Sequence, residues 1–167
     1  MFRTIADFEK TWTNHVQGTM KLLNAITQES LSQSVADGHR TLGRLAWHNV
    51  TTIAEMGPYT GLKFETVAKD APVPATIEEI RKAYGDVTLE LLQQIKKNWN
   101  DDTLLQEDDL YGEKWARGAT LYVLIVHEIH HRGQMTVLMR QARLQVPGIF
   151  GPSKEEWVNY GGQPPQI

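Results

Sequence analysis

The sequence predicts an all-α protein, a four-helix bundle with at least one crossover connection and a short C-terminal helix. Four long segments repeat apolar residues in steps of three and four, which is the spacing of one face of a helix. No segment shows a convincing strand pattern. The chain has 167 residues, of which 41% are hydrophobic, so one domain over residues 1–167 with a substantial core is expected.

The first helix is predicted from Ile5 to about Glu29, on apolar or bulky residues that share one face. They are Ile5, Phe8, Trp12, Val16, Met20, Leu23 and Ile26. A polar link with an Asp37-Gly38 turn follows, and Thr41 can cap a second helix. This helix should stop near Gly57-Pro58 or by Gly61.

The third helix begins with a capping box over residues 76–79 and should run to about Trp99. Before it, residues 61–75 lack periodicity and contain two prolines, which indicates a connection. After it comes an acidic stretch to about Trp115 that could form short extended pieces. The fourth helix is predicted from about Arg117 to Arg143. The connections before the third and fourth helices are long for simple antiparallel neighbours, which predicts the crossover.

A second capping box over residues 153–156 predicts a short terminal helix through Tyr160. The net charge of −3 disfavours nucleic-acid binding, and no basic run suggests a membrane surface. Without a signal-type N-terminus or an apolar run of membrane length, a soluble cytoplasmic protein is expected. The absence of cysteine excludes disulfides, thiolate zinc sites and a thiol nucleophile of the protein's own. Any sulfur chemistry must use a thiol from a cofactor or substrate.

His127 and His131 are one helical turn apart in the apolar stripe of the fourth helix, and both are expected to face the core. A buried ring nitrogen left without a partner costs about 1–3 kcal/mol, and a shared cation satisfies both rings most simply. A carboxylate or carbonyl partner for each ring is the alternative. The full stripe is Thr120, Leu124, His127, His131, Met135, Leu138 and Ala142.

His48 lies on the core-facing side of the second helix and is the candidate third ligand, although a lone histidine there can also be structural. Three neutral imidazoles suit zinc, nickel, copper or iron better than calcium or magnesium. Three protein ligands also leave coordination positions open, as in catalytic rather than structural zinc sites. His15 and His39 have no partner spacing and are interpreted as surface or cap residues.

Residues 127–131 also satisfy H-E-x-x-H, the zinc-protease motif in which Glu128 would be the general base. The extended form of the motif fails, because Gln134 and Val137 stand where glycine and the third histidine should be. Glu155 or Glu156 could be a downstream carboxylate ligand, but both fit the start of the terminal helix. His130 points about 60° away from His127 around the helix. It is interpreted as a surface histidine or as support for the ligands.

Two segments carry a family resemblance: Leu42 to Trp47 followed by His48, and the run His127 to Gln134. With them the whole chain resembles the DinB/YfiT-like metalloprotein superfamily. The resemblance implies a four-helix bundle with a divalent-metal site at His48, His127 and His131. Arg132 would orient or neutralise groups near the ligand helix, or form an ion pair that fixes neighbouring helices. His130 would support the ligands. Gly133 would allow close helix packing, and Gln134 would hydrogen-bond a ligand histidine.

Characterised relatives in this superfamily include S-transferases that use bacillithiol, mycothiol or glutathione, and a maleylpyruvate isomerase. The resemblance therefore favours a zinc- or nickel-dependent S-transferase that activates a low-molecular-weight thiol for attack on an electrophile. A homodimer formed through bundle faces is expected. A hydrolase using metal-activated water and a non-catalytic metal-binding stress protein are the alternatives.

Overall fold

Four long helices make up the body of the protein in the computed structural model, which describes residues 1–166. They are α1 (Ile5–Ala25), α2 (Leu42–Met56), α3 (Ile77–Asn98) and α4 (Arg117–Gln141). The predicted all-α class and the order of the helices are confirmed. α1 is shorter than predicted, because the chain becomes extended at Ile26 and a 3-10 turn follows at Glu29–Ser32.

Side-chain caps set the predicted helix starts. Thr41 accepts a hydrogen bond from the backbone N–H of Arg44, and Thr76 forms the full capping box with Glu79. Ser153 and Glu156 form the second predicted capping box. The short terminal helix that it opens, Lys154–Tyr160, is a 3-10 helix.

The helices pack so that α1 and α2 lie on opposite corners of the bundle. α1 packs against α3 and α4, and α2 packs against the same two helices, whereas contacts between α1 and α2 are sparse. The connections from α1 to α2 and from α3 to α4 therefore cross the bundle, which confirms the predicted crossover. The long link after Gly61 joins the neighbours α2 and α3, so its length does not reflect a crossing.

A β-hairpin precedes α4, in the acidic stretch where the sequence allowed short extended pieces but showed no convincing strand pattern. β1 (Glu107–Leu110) pairs antiparallel with β2 (Glu113–Ala116), and Tyr111 and Gly112 form the turn with φ values of 52° and 86°. Each strand has four residues and most of them are charged. The alternation of apolar and polar residues that marks a strand is therefore too short to detect. The half-buried ion pair between Asp108 and Arg117, at 2.8 Å, attaches the hairpin to the first residue of α4.

The buried face of α4 is rotated relative to the predicted stripe. Glu128 and Arg132 are buried, whereas His127 and Ala142 lie half-buried at the edge. The predicted stripe omitted these two charged residues, which are buried because each has hydrogen-bond partners inside the bundle. Within residues 1–166, no helix has both the length and the apolar composition needed to cross a membrane.

Candidate metal centre

Three imidazoles from two neighbouring helices meet at one edge of the bundle. His48 comes from α2, and His127 and His131 come from successive turns of α4. One ring nitrogen from each lies within 4.8 Å of the other two. The ring centroids are 4.5–5.2 Å apart. The structure thus brings together the three residues that the sequence identified as candidate ligands.

The cluster lies at the edge of the bundle. The expectation from the sequence, that the imidazoles lie inside the core, was therefore not met in full. His131 is 6% exposed, but His48 and His127 are only partly buried. Beneath them, the Asn49 amide donates to Met135 Sδ at 3.5 Å and joins α2 to α4. The rings therefore have a packed floor and an open side from which a small molecule can approach.

Gln134 orients the ring of His131. Its Oε1 accepts a hydrogen bond from His131 Nδ1 at 2.8 Å, which leaves His131 Nε2 with a free lone pair. Its amide nitrogen donates to Nε2 of the exposed His130 at 3.1 Å. His130 therefore contacts the amide that contacts His131, and is itself on the surface.

The two imidazoles of α4 are spaced like two ligands of one tetrahedral ion. His131 Nε2 lies 3.2 Å from His127 Nε2. Ligand nitrogens at the usual zinc distance of about 2.0–2.1 Å are separated by roughly 3.3 Å in a tetrahedron. On α2, Thr52 Oγ1 lies 3.5 Å from His48 Nδ1. The donor set and its spacing fit a borderline divalent metal.

The imidazoles are held in their neutral form. Burial, then the neighbouring His131 and Arg40, lower the pKa of His48 to about 4. The pKa values of His127 and His131 are also lowered, chiefly by burial. Because a metal binds the unprotonated nitrogen, all three rings are prepared for coordination at neutral pH.

Glu128 belongs to a separate buried network on the other side of α4. It accepts hydrogen bonds from Thr19 Oγ1 at 2.5 Å and Tyr84 Oη at 2.7 Å, and His15 Nε2 lies 3.1 Å from its Oε2. Burial alone would raise the pKa of Glu128, but His15 and the two hydroxyl donors lower it below its usual value. Glu128 is thus not placed to serve as the general base of a protease.

This network also corrects the interpretation of His15 as a surface or cap residue. His15 is 5% exposed and its ring stacks on Trp12. Its partner Glu128 is far away in the sequence, so no local spacing could reveal the pair. Buried Tyr84 and Thr19 were missed as polar partners for the same reason.

Arg132 turns toward α1, where its guanidinium donates to the carbonyl of His15 and to Thr19 Oγ1. It therefore joins two neighbouring helices, which is one of its two expected roles, but it does so through hydrogen bonds and does not contact the imidazole cluster. Gly133 does not serve close packing, since a Cβ built there meets nothing within 4 Å. Glu155 pairs with Arg140, and Glu156 accepts backbone hydrogen bonds in its own capping box, so neither is engaged as a metal ligand.

A cleft of about 610 Å³ lies beside the imidazoles. His131 and Gln134 of α4 line it, together with Arg40. His39 is exposed, as expected, but it also lines this cleft. Arg40 was missed because it precedes α2. Within α2 the spacing does give a signal, as Arg44 lies four residues, about one helical turn, before His48.

A family model and a solved structure that this chain resembles both carry the DinB name. The model of the DinB family matches residues 1–165. The chain is 44% identical over 167 residues to "Uncharacterized protein YrdA" of Bacillus subtilis (strain 168), covering 100% of both chains. A crystal structure of a DinB-like protein from Bacillus cereus ATCC 10987 is 45% identical with a TM-score of 0.86, covering 90% of this chain and 100% of that one.

A second crystal structure supports the fold alone. It is a DinB-like protein, YjoA, from Bacillus subtilis, and it is 20% identical to this chain. Its TM-score is 0.68, and the match covers 88% of this chain and 99% of that one.

Proposed function

Because this chain belongs to the DinB family, we propose that it is a divalent-metal-dependent S-transferase that activates a low-molecular-weight thiol for attack on an electrophile. The observation that carries the proposal is the convergence of His48, His127 and His131 at a partly exposed edge that opens into a cleft. A structural metal site is normally closed by four protein ligands, whereas three leave room for a reactant.

The histidines would hold zinc or nickel through three neutral nitrogens. Such an ion, when bound, lowers the pKa of a thiol and stabilises the thiolate. The chain has no cysteine, so the sulfur must come from a substrate. In the transfer, a sulfur–carbon bond forms and the bond from that carbon to its leaving group breaks. The thiol proton passes to solvent and the leaving group departs as an anion.

The protein's own residues would position the metal ligands and the reactants. Gln134 fixes the ring of His131, and the Asn49–Met135 contact holds α2 against α4 beneath the rings. The cleft beside His131 gives space for the rest of the reactant. Orienting two reactants at one place is itself a large part of the rate acceleration available to an enzyme.

A direct test measures the thiol-dependent consumption of monobromobimane by protein loaded with zinc or nickel, using bacillithiol, mycothiol and glutathione in turn. We expect turnover with at least one thiol, its loss after chelation, and its loss in His127→Ala. Gln141→Ala, an exposed substitution on the same helix, should keep full activity.

Two other results would contradict the proposal. Cleavage of an amide or ester without added thiol would indicate a hydrolase that uses metal-activated water. Stoichiometric metal binding without turnover of any thiol would indicate a non-catalytic metal-binding protein.

A further inference from the structure

The cleft beside the imidazoles has a cationic and an apolar side. Arg40 lines it next to His131, and its apolar wall includes Leu45, Val137 and Leu138. No acidic residue lines the cleft in the described part of the chain. A ligand that fits this surface has a negative charge at one end and a carbon skeleton behind it.

Arg40 and Arg44 have no acidic partner within residues 1–166. The ion pairs of the structure use other arginines, and neither guanidinium donates a hydrogen bond. Nη1 of Arg44 is buried without any partner, an arrangement that costs free energy unless something else offsets it. The positive charges of both arginines act on His48, and that of Arg40 also acts on His131.

The acids whose charge is felt at the cluster are engaged elsewhere. Glu128 is held by Thr19, Tyr84 and His15 on the far side of α4. Glu55 accepts a hydrogen bond from Tyr111. Three neutral imidazoles would leave the charge of a divalent ion uncompensated, and two arginines would add to it. An anionic reactant is therefore favoured over a neutral or cationic one.

We infer that this cleft binds an organic carboxylate, with its carboxylate group on Arg40 and its reacting group at the imidazole cluster. A guanidinium suits this role because its planar donors match the two oxygens of a carboxylate. The inference rests on the proposed function, since it takes the cluster as the place where the reactants meet. The carboxylate belongs to either the thiol or the electrophile.

A binding experiment tests the inference without turnover. Zinc-loaded protein is titrated calorimetrically with N-acetylalanine, a carboxylate without a thiol, and with the neutral N-acetylalaninamide. We expect the acid to bind about tenfold or more tightly than the amide, and Arg40→Gln to abolish that difference. Arg3→Gln, which removes an exposed arginine elsewhere, should preserve it. Equal binding of acid and amide, or a preference that survives in Arg40→Gln, would overturn the inference.

Turnover then identifies which reactant carries the carboxylate. N-acetylcysteine is compared with its amide against monobromobimane, and iodoacetate with iodoacetamide against 2-mercaptoethanol. Arg40→Gln should raise KM about tenfold for the acid of one pair and leave both neutral partners unchanged. Carboxylate binding without turnover of any pair would contradict the proposed S-transferase activity but support the carboxylate site. Turnover that depends neither on the charge of the substrate nor on Arg40 would support the S-transferase activity and contradict the carboxylate site.

Discussion

Gln134 shows how a single side chain can define a metal ligand. By accepting from His131 Nδ1, it decides which nitrogen of that ring keeps a lone pair, and its amide group is itself held by His130. Hydrogen bonds of this kind orient ligating histidines and increase their basicity. The role that the resemblance implied for Gln134 thus has the geometry it requires.

Replacing Gln134 by alanine should weaken zinc binding by about 10- to 100-fold, because His131 would lose the acceptor that fixes its ring. Competition with a chromogenic chelator measures the affinity. Gln141→Ala removes the same functional group from an exposed position of α4 and should bind zinc like the wild type. Equal affinities of the two variants would show that the Gln134 hydrogen bond has no part in metal binding.

The lowered imidazole pKa values predict how the metal-free protein responds to acid. His48 titrates at about 4 in the folded state, against an ordinary value of 6.5 that applies to the unfolded chain. Below pH 6.5 the unfolded chain therefore binds more protons, so the free energy of unfolding should fall as pH decreases from about 6.5 toward 4. Urea unfolding across this range measures it. His48→Asn should lessen the slope, and an unchanged slope would contradict the assigned pKa.

At the residue scale, the sequence identified what local spacing encodes. His127 and His131 are one turn apart on one helix. His48 was identified as their partner from its core-facing position on the second helix and from the family resemblance. The pair His15–Glu128 and the position of Arg40 beside His131 depend on tertiary contacts between distant segments. No period along the chain contains that information, which is why the burial of His15 was not predicted.

At the element scale, α4 separates two polar systems. One side presents the imidazoles to α2, and the other buries Glu128 against α1 and α3. The hydrogen bonds of Glu128 to Thr19 and Tyr84 link three helices and fix the rotation of α4 about its axis. The position of His127 and His131 opposite His48 follows from that rotation.

Tyr84→Phe should lower the free energy of unfolding by about 1–3 kcal/mol, because a buried charged group loses one of its donors. Burial and the charge of Glu128 raise the pKa of Tyr84 well above its usual value, so the hydroxyl remains a donor at neutral pH. Tyr122→Phe is the matched control, since Tyr122 is 50% exposed on α4. Urea unfolding of the two variants should differ clearly; equal stabilities would mean that the Tyr84 hydrogen bond contributes nothing.

The helices were predictable because long amphipathic periods and caps are local signals, as Thr41 and Thr76 show. The hairpin could be anticipated only as short extended pieces, because its four-residue strands are defined by their pairing and by the turn at Tyr111 and Gly112. The crossing of the bundle could be inferred only from connection lengths. Which connections cross depends on the packing of helices that lie far apart in the sequence.

For the whole molecule, we propose a homodimer formed through the outer face of α4. Tyr122, Val126 and Ile129 follow each other along this face and are 50%, 42% and 37% exposed. An exposed apolar row supports association with a second copy. Sedimentation velocity should find a dimer for the wild type and a monomer for Val126→Glu. Val158→Glu, at an exposed position in the terminal segment, should remain dimeric, and a monomeric wild type would contradict the proposal.

A metal held jointly by α2 and α4 is central to the proposed function of this protein. The most direct measurement is a calorimetric titration of chelator-treated protein with zinc and with nickel, comparing the wild type with His48→Ala, His131→Ala and Gln141→Ala. The account predicts one ion per chain for the wild type and for Gln141→Ala, and a loss of tight binding in both histidine variants. Tight binding of one ion that persists without His48 or without His131 would contradict it.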